Sequence, residues 1–424
     1  MSPTPEHTKA RLILYEDRHW RSLRPLTDLL PVPALVFGIS DLARRWLAAA
    51  RMPLFGIEAR SGVLANWLDA PVPDTAAICA SDDAVVVNSA ALPGAWFTEV
   101  SASRTPALWL GEGRIVGARL PLSMLRGAIG RGEDFEMVLL GLGLPAFPVD
   151  AEFITWPWDL MARNADAIRG DLAAVPPAVR GRLHRMACLE QPEHVIIEDG
   201  SVIGPFAVLD ASDGPILVGR GARIEAHTHV RGPCVIGAGT QLLGGSVSGS
   251  TFGPQCRIAG EVEASVWQGH ANKRHHGFLG HSLVGEWVNL GALTTTSDLK
   301  NNYGEVKVWI DGQLVATGSN KVGALIGAHA KTGIGTLLPT GATVGTAANL
   351  FGGGVFAPKH VPAFGWWDGA TIAEHELERC LATARIAMGR RQRTLTPAAE
   401  ASLRELHAST AGERRGSPAP AARA

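Results

Sequence analysis

The stretch Ala271-Asn272-Lys273-Arg274-His275-His276 and the later Lys300-Asn301-Asn302-Tyr303-Gly304 hold the densest groups of side chains able to do chemistry. An imidazole, with an ordinary pKa of roughly 6.5, accepts a proton near neutral pH. Lys273 and Arg274 bring charge for a phosphate group, while Asn301 and Asn302 bring amide donors and acceptors. A base, donors for a developing oxyanion and cations for phosphate are what group transfer onto a phosphorylated acceptor requires. Lys300 and Arg257 are open to two readings, as phosphate ligands or as a solvated face.

The elements that must position these residues are set by a repeat. Aliphatic residues followed by Gly, Glu or Asp recur every six positions: Ile197, Ile203 and Leu209, then Val218, Ile224, Val230, Ile236 and Leu242. After a shift come Phe252 and Ile258, then Phe278, Val284 and Leu290, and finally Ile326, Thr332, Leu338, Val344 and Leu350. One inward aliphatic side chain per hexad, with a small residue at the corner, is the pattern of a parallel β-helix, expected here to be left-handed. Three hexads make a triangular coil that buries its apolar stack only against the next coil. The phase breaks at residues 210 to 217, 243 to 251 and 258 to 278, and the run from Thr294 to Val322 is polar where hexads should be. Excursions from a regular coil carry binding groups, and the third and fourth breaks hold the two reactive stretches.

The coil period also bears on metal binding. His270/His275 and His276/His281 show H-x4-H spacing, which serves zinc held between subunits of some β-helix enzymes. A third histidine about two coils earlier is then wanted, and neither His227 nor His229 sits at a multiple of about 18 residues from either pair.

Upstream, short apolar runs (Leu12-Ile13-Leu14, Leu35-Val36-Phe37, Ala84-Val85-Val86-Val87, Met137-Val138-Leu139-Leu140) alternate with amphipathic stretches such as Asp41 to Ala50, predicting an α/β domain over residues 1–165. A helical connector is expected over 166–192, the β-helix over 193–368, helices over 369–410 and a disordered tail over 411–424. The 424 residues suit two main domains. Lys+Arg 39 against Asp+Glu 40 leave a net charge of -1, so no overall field draws the chain to nucleic acid or an anionic membrane. The start has no apolar h-region and no stretch reaches the roughly 18 apolar residues of a membrane span, which points to the cytoplasm. Cys79, Cys188, Cys234, Cys256 and Cys380 are odd in number and scattered, and read as small core residues.

Asn272 to Gly280, Gly285-Glu286-Trp287-Val288-Asn289-Leu290-Gly291-Ala292, Leu299 to Gly304 and Pro358-Lys359-His360-Val361-Pro362 resemble the GlmU-like sugar nucleotidyltransferases. These are variants of the bifunctional UDP-N-acetylglucosamine pyrophosphorylase/glucosamine-1-phosphate N-acetyltransferase. The resemblance, from Leu12 to about Leu406, implies a nucleotidyltransferase domain followed by a trimeric, acetyl-CoA-dependent β-helix domain acting on a sugar phosphate or sugar nucleotide. It places His275 on the family's general base and Asn302-Tyr303 on a pair that contacts substrate, with Asn301 beside them. Lys273 matches a lysine near that histidine.

The N-terminal domain departs from the family's pattern. Its first strand leads into Arg18-His19-Trp20-Arg21 without a glycine-rich loop, leaving Arg21, Arg24 and Pro25-Leu26-Thr27 as a reduced phosphate site. Where an aspartate would hold Mg²⁺, Asn88 follows the Val85–Val87 run, and neutral Asn is a poorer ligand for a hard cation. Asp82 and Asp83, which precede that strand, are open to two readings, as substitutes or as a solvated turn. Three functions compete: acyl transfer with an altered first domain, a non-catalytic sugar-nucleotide scaffold or sensor, and a zinc-dependent β-helix enzyme.

Overall fold

The computed structural model describes residues 10–67, 69–73 and 82–415, so Cys79 and most of the expected tail lie outside the described residues. The chain divides into two units: Met1–Arg21, Leu30–Leu35 and Ser40–Thr155 form the first, and Ser22–Leu29, Val36–Ile39 and Trp156–Ala424 the second.

In the first unit β1 (Ala10–Tyr15) lies between β2 (Leu54–Glu58) and β3 (Asp83–Asn88), all parallel. Antiparallel β5 (Arg114–Pro121) follows beside β3, then β4 (Ala107–Gly111) and β6 (Ala146–Pro148), giving the order β2-β1-β3-β5-β4-β6. The two central strands are covered on both faces, which is why they read as unbroken apolar runs. Helix α1 (Leu42–Ala50) starts where Asp41 accepts a hydrogen bond from the Arg44 N–H at 2.7 Å. The run Met137–Leu140 is not a strand but part of the helix Phe135–Gly141. Its buried residues Phe135 and Leu139 stand four apart, and Met137 and Leu140 face outward.

In the second unit a ten-stranded parallel sheet runs from Ala178–Val179 to His360–Val361 and forms one face of a parallel β-solenoid. Register stacks one inward residue per coil: Ile197 on Val218, Ile236, Phe252, Trp267, Val284, Ile326, Val344 and Val361. All nine are fully buried, and the column continues through every coil as one apolar core.

The structure corrects the reading of two phase breaks. From Trp267 onward the hexad spacing is kept: Trp267, Lys273 and Leu279 point inward, while Phe278 is half-buried and pairs with Glu261 across the coils. The break itself lies upstream, where the inward residues Ile258, Val262 and Trp267 stand closer than six apart. The rhythm is hidden because a lysine fills an inward position, so Arg274 to Gly277 form an ordinary corner turn. The excursion proper is Leu299 to Lys321, closed by a bridge between those two residues and containing the antiparallel hairpin Lys307–Ile310/Gln313–Ala316.

Two helices, α2 (Pro157–Ala162) and α3 (Asn164–Leu172), precede the first coil. The helices expected over 369–410 begin later: Ile372–Glu374 is a strand antiparallel to Gly365–Trp367, closing the open end of the sheet. Helices α4 (Leu377–Gly389), α5 (Pro397–Ser409) and α6 (Ala411–Arg415) follow. Cys380, Leu381, Ala384 and Met388 of α4 pack on a corner of the solenoid formed by Trp287, Ala328, Ala347 and Phe364.

Leu279→Ala should cost about 2–5 kcal/mol, the usual range for a large-to-small change in a closed core. Phe278→Ala should cost much less. Chemical denaturation of the two variants measures the difference; equal losses would contradict this register.

Candidate functional site

The chemistry-bearing corner is built from a short strand, Asn272–Lys273, a turn, and the strand Phe278–Gly280. Lys273 lies next to Ile258 in the register and its side chain is sealed inside the solenoid, 1% exposed. Its Nζ donates to the carbonyls of Ala259 and His275, both at 3.0 Å. No carboxylate among the described residues pairs with it. Burial lowers its pKa from 10.5 to about 8. Two N–H groups meet two carbonyls, so the neutral amine is fully satisfied and the ammonium would carry one proton too many. Lys273 is therefore not placed to meet a substrate phosphate; it fixes the main chain at His275 from within.

The turn is held from outside as well. The His276 carbonyl accepts the Leu293 N–H at 2.9 Å. Gly277, at φ +133°, lies so close to the next coil that an added Cβ would meet the Thr294 carbonyl oxygen at 2.1 Å. With the backbone pinned on both sides, Arg274, His275 and His276 project into solvent. His270, by contrast, is buried and stacked on Trp287 at 4.3 Å, so the members of the first H-x4-H pair stand in different surroundings. No group of three or more His, Cys, Asp or Glu able to hold a metal gathers among the described residues.

Asn301, Asn302 and Tyr303 are exposed at the start of the excursion. The Asn302 carboxamide accepts the Gly304 N–H at 3.0 Å, and Tyr303 takes a left-handed φ of 57° that turns its ring outward, 71% exposed. Lys300 donates to the Glu305 carbonyl. Sequence reasoning missed a pair at the root of this excursion: His281 Nδ1 is 2.7 Å from Asp298 Oδ2, a contact that lowers the Asp298 pKa. Their separation of 17 residues, close to one coil, was the available signal.

In the first unit the ends of β1, β2 and β3 converge, as they do at the ligand crevice of open α/β sheets. Here the crevice groups satisfy one another. Asp17 accepts from Arg114 Nε and from Asn88 Nδ2, each at 2.8 Å. Burial alone would raise the Asp17 pKa, but bonds from His19, Arg114 and Asn88 outweigh it and bring it down to about 2. Asn88 also donates to the Ile115 carbonyl at 3.1 Å and accepts from the Ala90 N–H at 2.9 Å. Glu16 accepts from the Val32 N–H and from Arg60 Nε, both at 2.7 Å, and Glu58 from the N–H groups of Gly130 and Gly132. A donor set so fully engaged does not fit Mg²⁺, which wants free oxygens around it. Asp82 and Asp83 do not replace it: they sit at the opposite end of β3, where Asp82 meets Arg11 and Asp83 meets Arg119.

The two arginines of the reduced phosphate site are engaged differently. Arg21 is exposed, with its guanidinium 4.6 Å from the ring centre of Trp20. Arg24 belongs to the second unit, where it donates to Asp28 at 2.7 Å, Asp311 at 3.0 Å and Glu413 at 3.2 Å, leaving little for a phosphate.

Residues 12–176 match the sugar nucleotidyl transferase family. The bifunctional sugar-1-phosphate nucleotidylyltransferase/acetyltransferase of Sulfurisphaera tokodaii is 36% identical over 95 residues, 22% of this chain and 24% of that protein. The bifunctional protein GlmU of Methanococcus aeolicus is 27% identical over 190 residues, 45% of this chain and 40% of its own. The matches thus span less than half the length of these relatives. A solved structure of Arabidopsis UDP-N-acetylglucosamine acyltransferase is 14% identical, covering 55% of this chain and 93% of that one with a TM-score of 0.21. The solenoid assignment rests on the strand register rather than on that superposition.

The buried lysine has a measurable consequence. The unfolded chain holds the Lys273 proton up to about 10.5, whereas the folded one releases it near 8, so stability rises with pH across that window. Denaturation between pH 8 and 10 should show this rise in the parent protein, and Lys273→Met should flatten it; parallel curves would show the amine to be solvated.

Proposed function

We propose that the chain transfers an acyl group from acetyl-CoA to the amine or hydroxyl of a sugar phosphate or sugar nucleotide. The observation that carries this reading is the His275 corner: an exposed imidazole on a backbone fixed by Lys273 within and by Leu293 and Thr294 without. A base must be accessible to substrate and yet held in place, and this corner supplies both conditions. The similarity to the bifunctional sugar-1-phosphate nucleotidylyltransferase/acetyltransferase of Sulfurisphaera tokodaii supports the same reading.

In this mechanism neutral His275 takes the proton from the acceptor's N–H or O–H as that atom attacks the thioester carbonyl. The developing oxyanion needs hydrogen-bond donors, a role for which the Asn301 and Asn302 carboxamides are candidates, with Tyr303 against the substrate. The C–S bond then breaks, and the proton on His275 passes to the departing CoA sulfur. We place the reaction in the cytoplasm. No helix among the described residues is long and apolar enough to cross a membrane.

The assembly we propose is a homotrimer, with each site completed by a neighbouring solenoid. For the first unit we favour sugar-nucleotide binding over turnover, because Asn88, Asp17 and Arg114 are committed to one another. That network keeps the non-catalytic reading in view for this half of the chain.

Two measurements test the proposal. With acetyl-CoA and a panel of amino-sugar phosphates and nucleotides, His275→Ala should lower thiol release by about 10² to 10⁴ while sedimentation still shows a trimer. His276→Ala should do far less, and equal losses in both would defeat the assignment. Mg²⁺-dependent pyrophosphate release from UTP and a hexosamine 1-phosphate should be weak or absent, and robust release would overturn the reading of the first unit.

A further inference from the structure

Next to the His275 corner lies a group of positive charges that no hydrogen bond or ion pair described so far explains. Arg257 opens the strand one coil before Asn272, with which it is paired, and Arg274 follows two residues after Asn272. The third member, Arg391, comes from the end of α4, where its N–H donates to the Met388 carbonyl at 2.9 Å. Met388 packs in the same cluster as Trp287, and Trp287 stacks on His270 at the corner from which the Asn272 strand departs. The end of the helix is thereby brought against this part of the solenoid.

The three guanidinium groups act on one another. The Arg257 pKa is lowered by burial, then by Arg391 and Arg274; that of Arg391 is lowered by burial, then by Arg390 and Arg274. No carboxylate contributes to either balance, and among the described residues none forms an ion pair with Arg257, Arg274 or Arg391. Arg257 is not free to swing away: its Nη1 is tied to the carbonyls of Gly239, Gln255 and Cys256 at 3.1, 3.1 and 2.9 Å. Nε of Arg391 is enclosed and has no partner. A solvated cationic face would let such side chains spread and keep their donors wet. Two half-buried guanidiniums held together against their own repulsion instead need an anion that accepts several N–H bonds at once, and phosphate oxygens do this.

We propose that Arg257, Arg274 and Arg391 form a binding site for a phosphate or diphosphate group beside His275. This rests on the acyl-transfer reading only for the source of the anion, which is either the phosphates of the CoA donor or the phosphate of the sugar acceptor. Its position one residue from the base suits either, since both substrates must meet there.

Calorimetry on the full chain tests the site with inorganic pyrophosphate as probe. Arg391→Gln and Arg274→Gln should each weaken binding about tenfold or more, the usual effect of losing a charge-assisted hydrogen bond, and added salt should weaken the parent more than either variant. Arg274 is exposed, so its variant keeps the fold even if Arg391→Gln does not. Parallel titrations then assign the source. Weakened CoA binding with unchanged pantetheine binding identifies the donor, and weakened glucosamine 1-phosphate binding identifies the acceptor. If pyrophosphate, CoA and glucosamine 1-phosphate all bind both variants as they bind the parent, the site is refuted. Thiol release, assayed separately, keeps the two ideas apart. Arginine-dependent pyrophosphate binding without turnover would remove the acyl-transfer reading alone, and turnover with unchanged affinities would remove the anion site alone.

Discussion

The second unit depends on a single constraint, that each coil can bury its inward side chains only against those of the coils above and below. The column from Ile197 to Val361 is fully buried because parallel register places one inward residue over the next, coil after coil. A side chain entering the interior of the solenoid, on this face or another, must therefore be apolar or bring its own hydrogen-bond partners. Lys273 is the exception that obeys the rule, since its amine reaches two main-chain carbonyls and is satisfied without water. Its placement costs desolvation, and what it provides is a link from the rigid core to the backbone of the exposed histidine.

The corner and the excursion differ in how they are held. The His275 turn is short and bounded by close backbone approaches, so its side chains project from a fixed base. The segment from Leu299 to Lys321 leaves the solenoid as a hairpin and carries Asn301, Asn302 and Tyr303 at its root, beside the His281–Asp298 pair. Rigid scaffold and irregular loop thus contribute different groups to the same proposed chemistry, the first a proton acceptor and the second amide and phenol contacts.

In the first unit the ends of three parallel strands gather carboxylates and arginines, the architecture expected of a nucleotide crevice, yet the carboxylates of Glu16, Asp17 and Glu58 are already engaged by arginines or backbone N–H groups. Asp17 with Arg114 and Glu16 with Arg60 are buried pairs whose loss on either side would strand a charge in a dry interior. Such a network holds strand ends and loops in register. It is poorly suited to an exchangeable cation, because every oxygen a metal would need is already engaged.

The sequence by itself determined the repeat and therefore the solenoid, because hexad spacing is a local property that each coil displays. It also determined the alternation that makes an α/β unit and, through a family resemblance, pointed to His275 and to Asn302-Tyr303. Only the tertiary structure decided that Lys273 faces the core, that Leu279 rather than Phe278 joins the stack, and that Arg24 is held by Asp28, Asp311 and Glu413. The physical reason is that inward and outward are set by pairing with the neighbouring coil, and a lysine at an inward position looks like an interruption when read along one strand. The engagement of Asn88, the His281–Asp298 pair and the arginines drawn from residues 257, 274 and 391 were likewise beyond the sequence. Each joins residues far apart in the chain, and such partners are chosen by packing rather than by spacing alone.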